Sequence, residues 1–113
     1  MKDTTTFWED DPDKGIVINA FLFQKIYLTM KDNIERAEIN IVGEQIIKWM
    51  KNKYNIKTST LSTEEGSELI AIPRWMYKLI YFEFKEYSAS FNYTACFNIL
   101  NVLSEMGYVL NIE

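Results

Sequence analysis

With 113 residues the chain has the size of one domain and enough length to bury a core without staples. Apolar residues make up 48% and charged residues 25%, so most of the chain is expected to fold and not to stay disordered. There is no histidine and a single cysteine, Cys96, which excludes an internal disulfide, a His-based metal site and a hydrolase triad. The net charge of −4 argues against a dedicated nucleic-acid domain.

Charge is unevenly spread. Residues 1–13 hold Asp3, Glu9, Asp10, Asp11 and Asp13 against Lys2; residues 14–62 hold twice as many basic as acidic groups; residues 63–113 are acidic again. This layout is a clue to partners, not to fold. Residues 1–14 show no period and contain Pro12, so they are expected to form a flexible acidic arm, with 15–113 as one globular domain. "WEDDPDKG" has the acids of a calcium loop. With Asp11 as first ligand, however, the sixth position is Ile16, where the turn needs Gly, and no metal is assigned. The start of the chain is acidic where a signal peptide is basic and then apolar, and no apolar run approaches the ~20 residues of a spanning helix. A cytoplasmic protein without membrane contact is the expectation.

"GIVINAFLFQKIYLTMK" is apolar and rich in β-formers. It reads as two short strands or as one helix. In "KIYLTMK", Ile26, Leu28 and Met30 alternate with Lys25, Tyr27 and Thr29, which favours a strand. Asp32-Asn33 then suggests a turn or a helix N-cap. From Ile34 the spacing is helical: Val42, Ile46, Ile47 and Met50 form a stripe, with Lys48, Lys51 and Lys53 outside it. Gly43 costs this helix up to ~1 kcal/mol relative to Ala, which points to close packing there. The helix should fade at "NKYN".

In "STLSTEEGSELIAIP", Ser62 and Glu65 have the spacing of a capping box, and the short helix they begin should end at Pro73, which equally suits the start of the next helix. "RWMYKLIYFEFKEYSASFNY" holds eight aromatic rings in residues 74–93. As a helix it puts Trp75, Met76, Leu79, Ile80 and Phe84 on one side; as a strand it alternates Ile80, Phe82 and Phe84 with Tyr81, Glu83 and Lys85. Pro73 and the length of the run favour a helix over about 74–88. The next helix, in "FNYTACFNILNVLSEMG", has Cys96, Ile99, Leu100, Leu103 and Met106 as its apolar face and Gly107 as its stop. It is expected to pack on the helix at 35–53. "YVLNIE" is expected to be a strand paired with one from residues 16–30. The class is thus α+β: a small domain with two or three main helices on a short antiparallel sheet, a mostly α arrangement being the alternative.

No glycine-rich phosphate loop is present, and Cys96, amid apolar neighbours and without an imidazole partner, reads as a small buried hydrophobe. No catalytic residue and no cofactor are expected. Two binding patterns remain. In "KWMKNKYNIK", Lys48, Lys51, Lys53 and Lys57 surround Trp49, with Tyr54 nearby, as a nucleic-acid surface would have ammonium groups for phosphates and rings for stacking. Only Arg36 and Arg74 supply guanidinium, the better group for bidentate contacts. The other pattern is acidic. The arm carboxylates Glu9, Asp10, Asp11 and Asp13, the cluster Glu64, Glu65 and Glu68, and the tyrosines Tyr77 and Tyr81 make a plausible dock for a basic protein. Small acidic proteins without catalytic groups resemble, at the level of class, toxin-immunity proteins, antitoxins and phage-encoded inhibitors. That likeness implies a partner with a basic surface, such as a nuclease or another nucleic-acid enzyme, occluded without chemistry. The alternative is a nucleic-acid-associated regulator using residues 48–57. Self-association into a homo-oligomer fits either reading.

Overall fold

The computed structural model describes residues 15–36, 40–91 and 94–110. Strand β1 (Ile16–Asn19) runs into α1 (Ala20–Arg36), followed by α2 (Ile41–Lys53), the one-turn α3 (Thr63–Gly66), β2 (Leu69–Ile72), α4 (Arg74–Phe91) and α5 (Thr94–Leu110). The class is α+β, as expected, with four long helices around one small sheet. The proposed arm, residues 1–14, lies outside the described residues.

β1 and β2 pair antiparallel, Ile16 opposite Ile72 and Asn19 opposite Leu69. Their side chains alternate between the two faces of the pleat, as strands require. Ile16, Ile18, Ile70 and Ile72 turn into the core, while Val17 and Leu69 turn out. Gly15 lies against the junction of β2 and α4. A Cβ there would sit 1.8 Å from the Ile72 carbonyl oxygen and 2.7 Å from the Arg74 nitrogen, so the close approach requires glycine.

The strand expected within residues 25–31 is instead the middle of α1. Phe23, Ile26, Tyr27 and Met30 are buried at helical spacing, and Tyr27 points inward where alternation had it outward. The physical reason is packing on several sides. α1 contacts α2, α3, α5 and both strands, so its buried arc is wide and half-buries Leu28 and Thr29 as well. Alternation in "KIYLTMK" is the by-product of that wide arc.

Asp32-Asn33 makes no turn and lies inside α1. Asn33 is buried, and its Nδ2 donates to the Thr29 carbonyl at 2.7 Å and to Cys96 Sγ at 3.5 Å, tying α1 to α5. The N-cap of α2 is Asn40, whose Oδ1 accepts the Gly43 amide at 2.9 Å. Its Nδ2 reaches α4, donating to Glu83 Oε2 at 2.9 Å and to the Tyr87 hydroxyl oxygen at 3.1 Å. Close packing explains Gly43: a Cβ would come within 2.8 Å of Asn40 Nδ2 and 3.0 Å of Ile34 Cδ1. Ile46 and Met50 are buried as expected, whereas Val42 faces solvent.

α5 starts at Thr94, later than the sequence implied, because α4 stays helical through Phe91; its buried face is the expected one, with Cys96, Ile99 and Leu103 in the core. It packs chiefly on α4 and not on α2; α4 contacts both. Its backbone stays helical through Gly107 to Leu110, so neither the glycine stop nor the strand from residue 108 is found. A segment without a ladder partner keeps its backbone hydrogen bonds by continuing the helix. An interior glycine costs a helix only about 1 kcal/mol.

Candidate functional site

The acidic cluster of the sequence becomes a corner between the end of α2, α3 and the start of β2. The capping box forms in full: Ser62 Oγ accepts the Glu65 amide at 3.1 Å, and Glu65 Oε1 accepts the Ser62 amide at 3.0 Å. The other oxygen of Glu65 pairs with Lys57 Nζ. Hydrogen bonding to Lys57 first, then to Ser62, lowers the Glu65 pKa to about 2. A carboxyl held below its ordinary value stabilises the fold above that ordinary value, and this contribution fades as pH falls toward 2. Glu68 Oε1 accepts the Tyr54 hydroxyl at 2.8 Å, and that bond raises the Tyr54 pKa.

Ser62, Glu64, Glu65, Ser67 and Glu68 line a shallow hollow. Three carboxylates stand there against the one ammonium of Lys57. Two of the three are oriented by donors from the chain itself. The hollow is not a metal cage: among the described residues no group of three or more His, Cys, Asp or Glu side chains is placed to hold a metal ion. The arm carboxylates Glu9, Asp10, Asp11 and Asp13 lie outside the described residues.

The basic segment is partly dispersed. Lys48, Lys51 and Lys53 are exposed on α2, but Lys57 lies beyond its end and is engaged by Glu65. Trp49 is half-buried, its ring edge-on to Trp75 with centroids 6.2 Å apart. Lys48 and Lys51 line a groove with Lys31, and Glu35 and Glu44 line it too. Mixed charge and an occupied tryptophan make a poor phosphate track.

The tyrosine face expected at the surface turns inward. Tyr77 is 0% exposed and Tyr81 6% exposed, and Tyr87 is buried too. The Tyr77 hydroxyl donates to the Leu103 carbonyl of α5, and the Tyr77 and Tyr81 rings stack at 6.1 Å. Burial, with Glu83 nearby, pushes the Tyr87 pKa up. Cys96 is a buried thiol whose pKa is raised by desolvation, the state of an inert core residue. In place of the tyrosines, Trp75 (50% exposed), Leu79 (38%) and Phe82 (51%) face solvent. The helical reading had put Trp75 and Leu79 on the same side as Met76, Ile80 and Phe84, which are buried. The signal that identifies this face is charge. Lys78, Lys85 and Glu86 fall on the same arc of α4 as Phe82, and ionised side chains mark the side of a helix that stays in water.

The chain matches no family model, no curated protein and no solved structure in the comparisons made with each. Its surfaces therefore stand on their own chemistry. Among the described residues, no helix is long and apolar enough to cross a membrane.

Proposed function

We propose that this protein is a non-catalytic regulator that binds another protein and inhibits it by covering a basic surface. The observation that carries the reading is the carboxylate corner. Glu65 and Glu68 are fixed by Ser62, Lys57 and Tyr54, beside the exposed Glu64, around one hollow. Preorganised carboxylates lose little side-chain freedom when lysine or arginine side chains of a partner arrive, and their summed field speeds the encounter. A nuclease or another nucleic-acid enzyme, whose cleft is basic, is the partner class that suits this surface.

The test begins with the partner captured from the native host and measures binding kinetics against wild type and a Glu64→Gln, Glu68→Gln variant. Glutamine still accepts the Tyr54 hydroxyl, so the fold is spared. The expected result is slower association with a flatter salt dependence and a nearly unchanged dissociation rate. Equal association rates for the two proteins would remove the corner from the interface.

The second reading, a nucleic-acid-associated regulator, is favoured by the exposure of Lys48, Lys51 and Lys53 on α2. Under it, a mobility shift on DNA or RNA at low salt should be lost when all three become Glu. No shift with wild type ends that reading.

A further inference from the structure

The chain enters β1 at Gly15, which lies against the Ile72 carbonyl and the Arg74 nitrogen. Trp75, the next residue of α4, meets Trp49 of α2 edge-on at 6.2 Å. Residues 1–14 are therefore tethered beside the C-terminal half of α2. That half carries Lys48, Lys51 and Lys53, all exposed. Among the described residues no carboxylate pairs with any of the three. Lys48 and Lys51 also border the groove between α1 and α2, whose apolar lining is Ile34 and Ile47, both half-buried.

We propose that the occupant of this lysine face and groove is the chain's own segment 7–13, with Glu9, Asp10, Asp11 and Asp13 against Lys48, Lys51 and Lys53, and Phe7 and Trp8 on Ile34 and Ile47. The proposal goes beyond the carboxylate corner and does not depend on it.

Charge selects the surface. Residues 9–13 hold four carboxylates. The corner at Glu64, Glu65 and Glu68 repels them, and the lysines of α2 attract them. The groove has two acids of its own, Glu35 and Glu44. Each stands one helical turn from a lysine of its own helix, Lys31 and Lys48, and Glu44 is at the start of α2, away from the end nearest Gly15. Lys51 and Lys53 have no acidic residue one turn away on α2.

Reach and order agree with this placement. An extended chain covers about 3.3–3.6 Å per residue, so positions 9–13 reach roughly 7–20 Å from Gly15. The rise along α2 from Lys53 to Lys48 is only about 8 Å. Counted back from Gly15, the acids come first and the two rings after them. Counted outward from the Trp75–Trp49 contact, the lysines come first and the isoleucines of the groove after them. Exposed ion pairs are individually weak, but a tethered segment meets its site at an effective concentration of about millimolar, so a weak contact is well populated. Docked there, the segment shields the lysine face from other polyanions.

The test is paramagnetic relaxation in the full chain, with a nitroxide on Thr5→Cys; Cys96 is buried and stays unlabelled. The expected result is strongest broadening at the amides of residues 31–35 and 44–53. It should weaken as salt is raised toward about 1 M, where the screening length is about 3 Å. Lys48→Glu, Lys51→Glu and Lys53→Glu together should lower the enhancement roughly fivefold or more, the loss of several tethered ion pairs. Adding Asp10→Lys, Asp11→Lys and Asp13→Lys to that variant should restore it. Circular dichroism establishes that each variant is folded, as changes at exposed positions should allow. Broadening that is even over the surface, that peaks on the outer face of α4, or that survives the lysine reversal overturns the proposal. So does broadening that arises only between spin-labelled and isotope-labelled chains in a mixture, because the contact would then lie between copies.

Discussion

The two faces of α4 are built from similar residues and do opposite things. Phe84 on the inner face is fully buried and meets Tyr87 edge-on at 5.4 Å. Phe82, two positions earlier, is half-exposed and meets the Tyr81 ring edge-on at 5.3 Å. Ring contacts at nearly equal distances thus surround two phenylalanines, one without water and one in it. What separates them is the neighbours across the helix interface. α2 and α5 close over the inner face, while Lys78, Lys85 and Glu86 border the outer one. Aromatic content by itself therefore says how much surface a helix can bury, not which surface it has buried.

Substitutions on the two faces should differ sharply in their effect on stability. Phe84→Ala is expected to have the largest effect, about 3–5 kcal/mol, because it leaves a cavity beneath α2 and α5. Asn40→Ala should follow at about 2 kcal/mol. It removes the cap of α2 and, in the same step, two hydrogen bonds to the inner border of α4, at Glu83 and Tyr87. Tyr77→Phe keeps the packing and deletes only the hydroxyl that reaches Leu103, so about 1 kcal/mol is expected. Phe82→Ala should change stability by no more than about 0.5 kcal/mol at dilute concentration. Urea unfolding of all four reads these values directly, and the slope of each curve checks that the unfolding transition is unchanged. A Phe82→Ala loss comparable with that of Phe84→Ala would break the comparison and place residue 82 in the core.

Where a local device decides the structure, it was legible. The Ser62–Glu65 spacing specified a capping box, and Gly43 specified a close approach, because each depends on a few neighbouring residues. Pro73 likewise announced α4, its carbonyl accepting the Tyr77 amide at 2.9 Å at the start of the helix, but it does not end the capping-box helix, which stops at Gly66 and is followed by β2. Where tertiary contacts decide, the local pattern misled. α1 is enclosed on several sides, so its apolar residues exceed one helical stripe and imitate alternation. The C-terminal segment has strand-like residues, yet through Leu110 it continues α5. In α4 the tyrosines carry polar tips that suggest a surface, yet Tyr77 and Tyr87 satisfy theirs inside, on Leu103 and Asn40. Of the candidate site, the Glu64–Glu65–Glu68 cluster was legible as a run of like charge. Its fixation by Tyr54 and Lys57 was not, because those partners come from a different turn of the chain.

The pairing of β1 with β2 has a consequence for how the molecule assembles. It joins residues about fifty positions apart, with α1, α2 and α3 in between. Helices form from local contacts, whereas this ladder must wait until the intervening chain has been brought to order and its closure entropy met. The sheet is thus expected to close late, after the helices have come together. Ile18→Ala, in the centre of β1, should accordingly speed unfolding while leaving the folding rate nearly unchanged in stopped-flow measurements. A matching fall in the folding rate would mean that the two strands meet early. As a late latch, the sheet would set how long the folded state lasts more than how quickly it is reached.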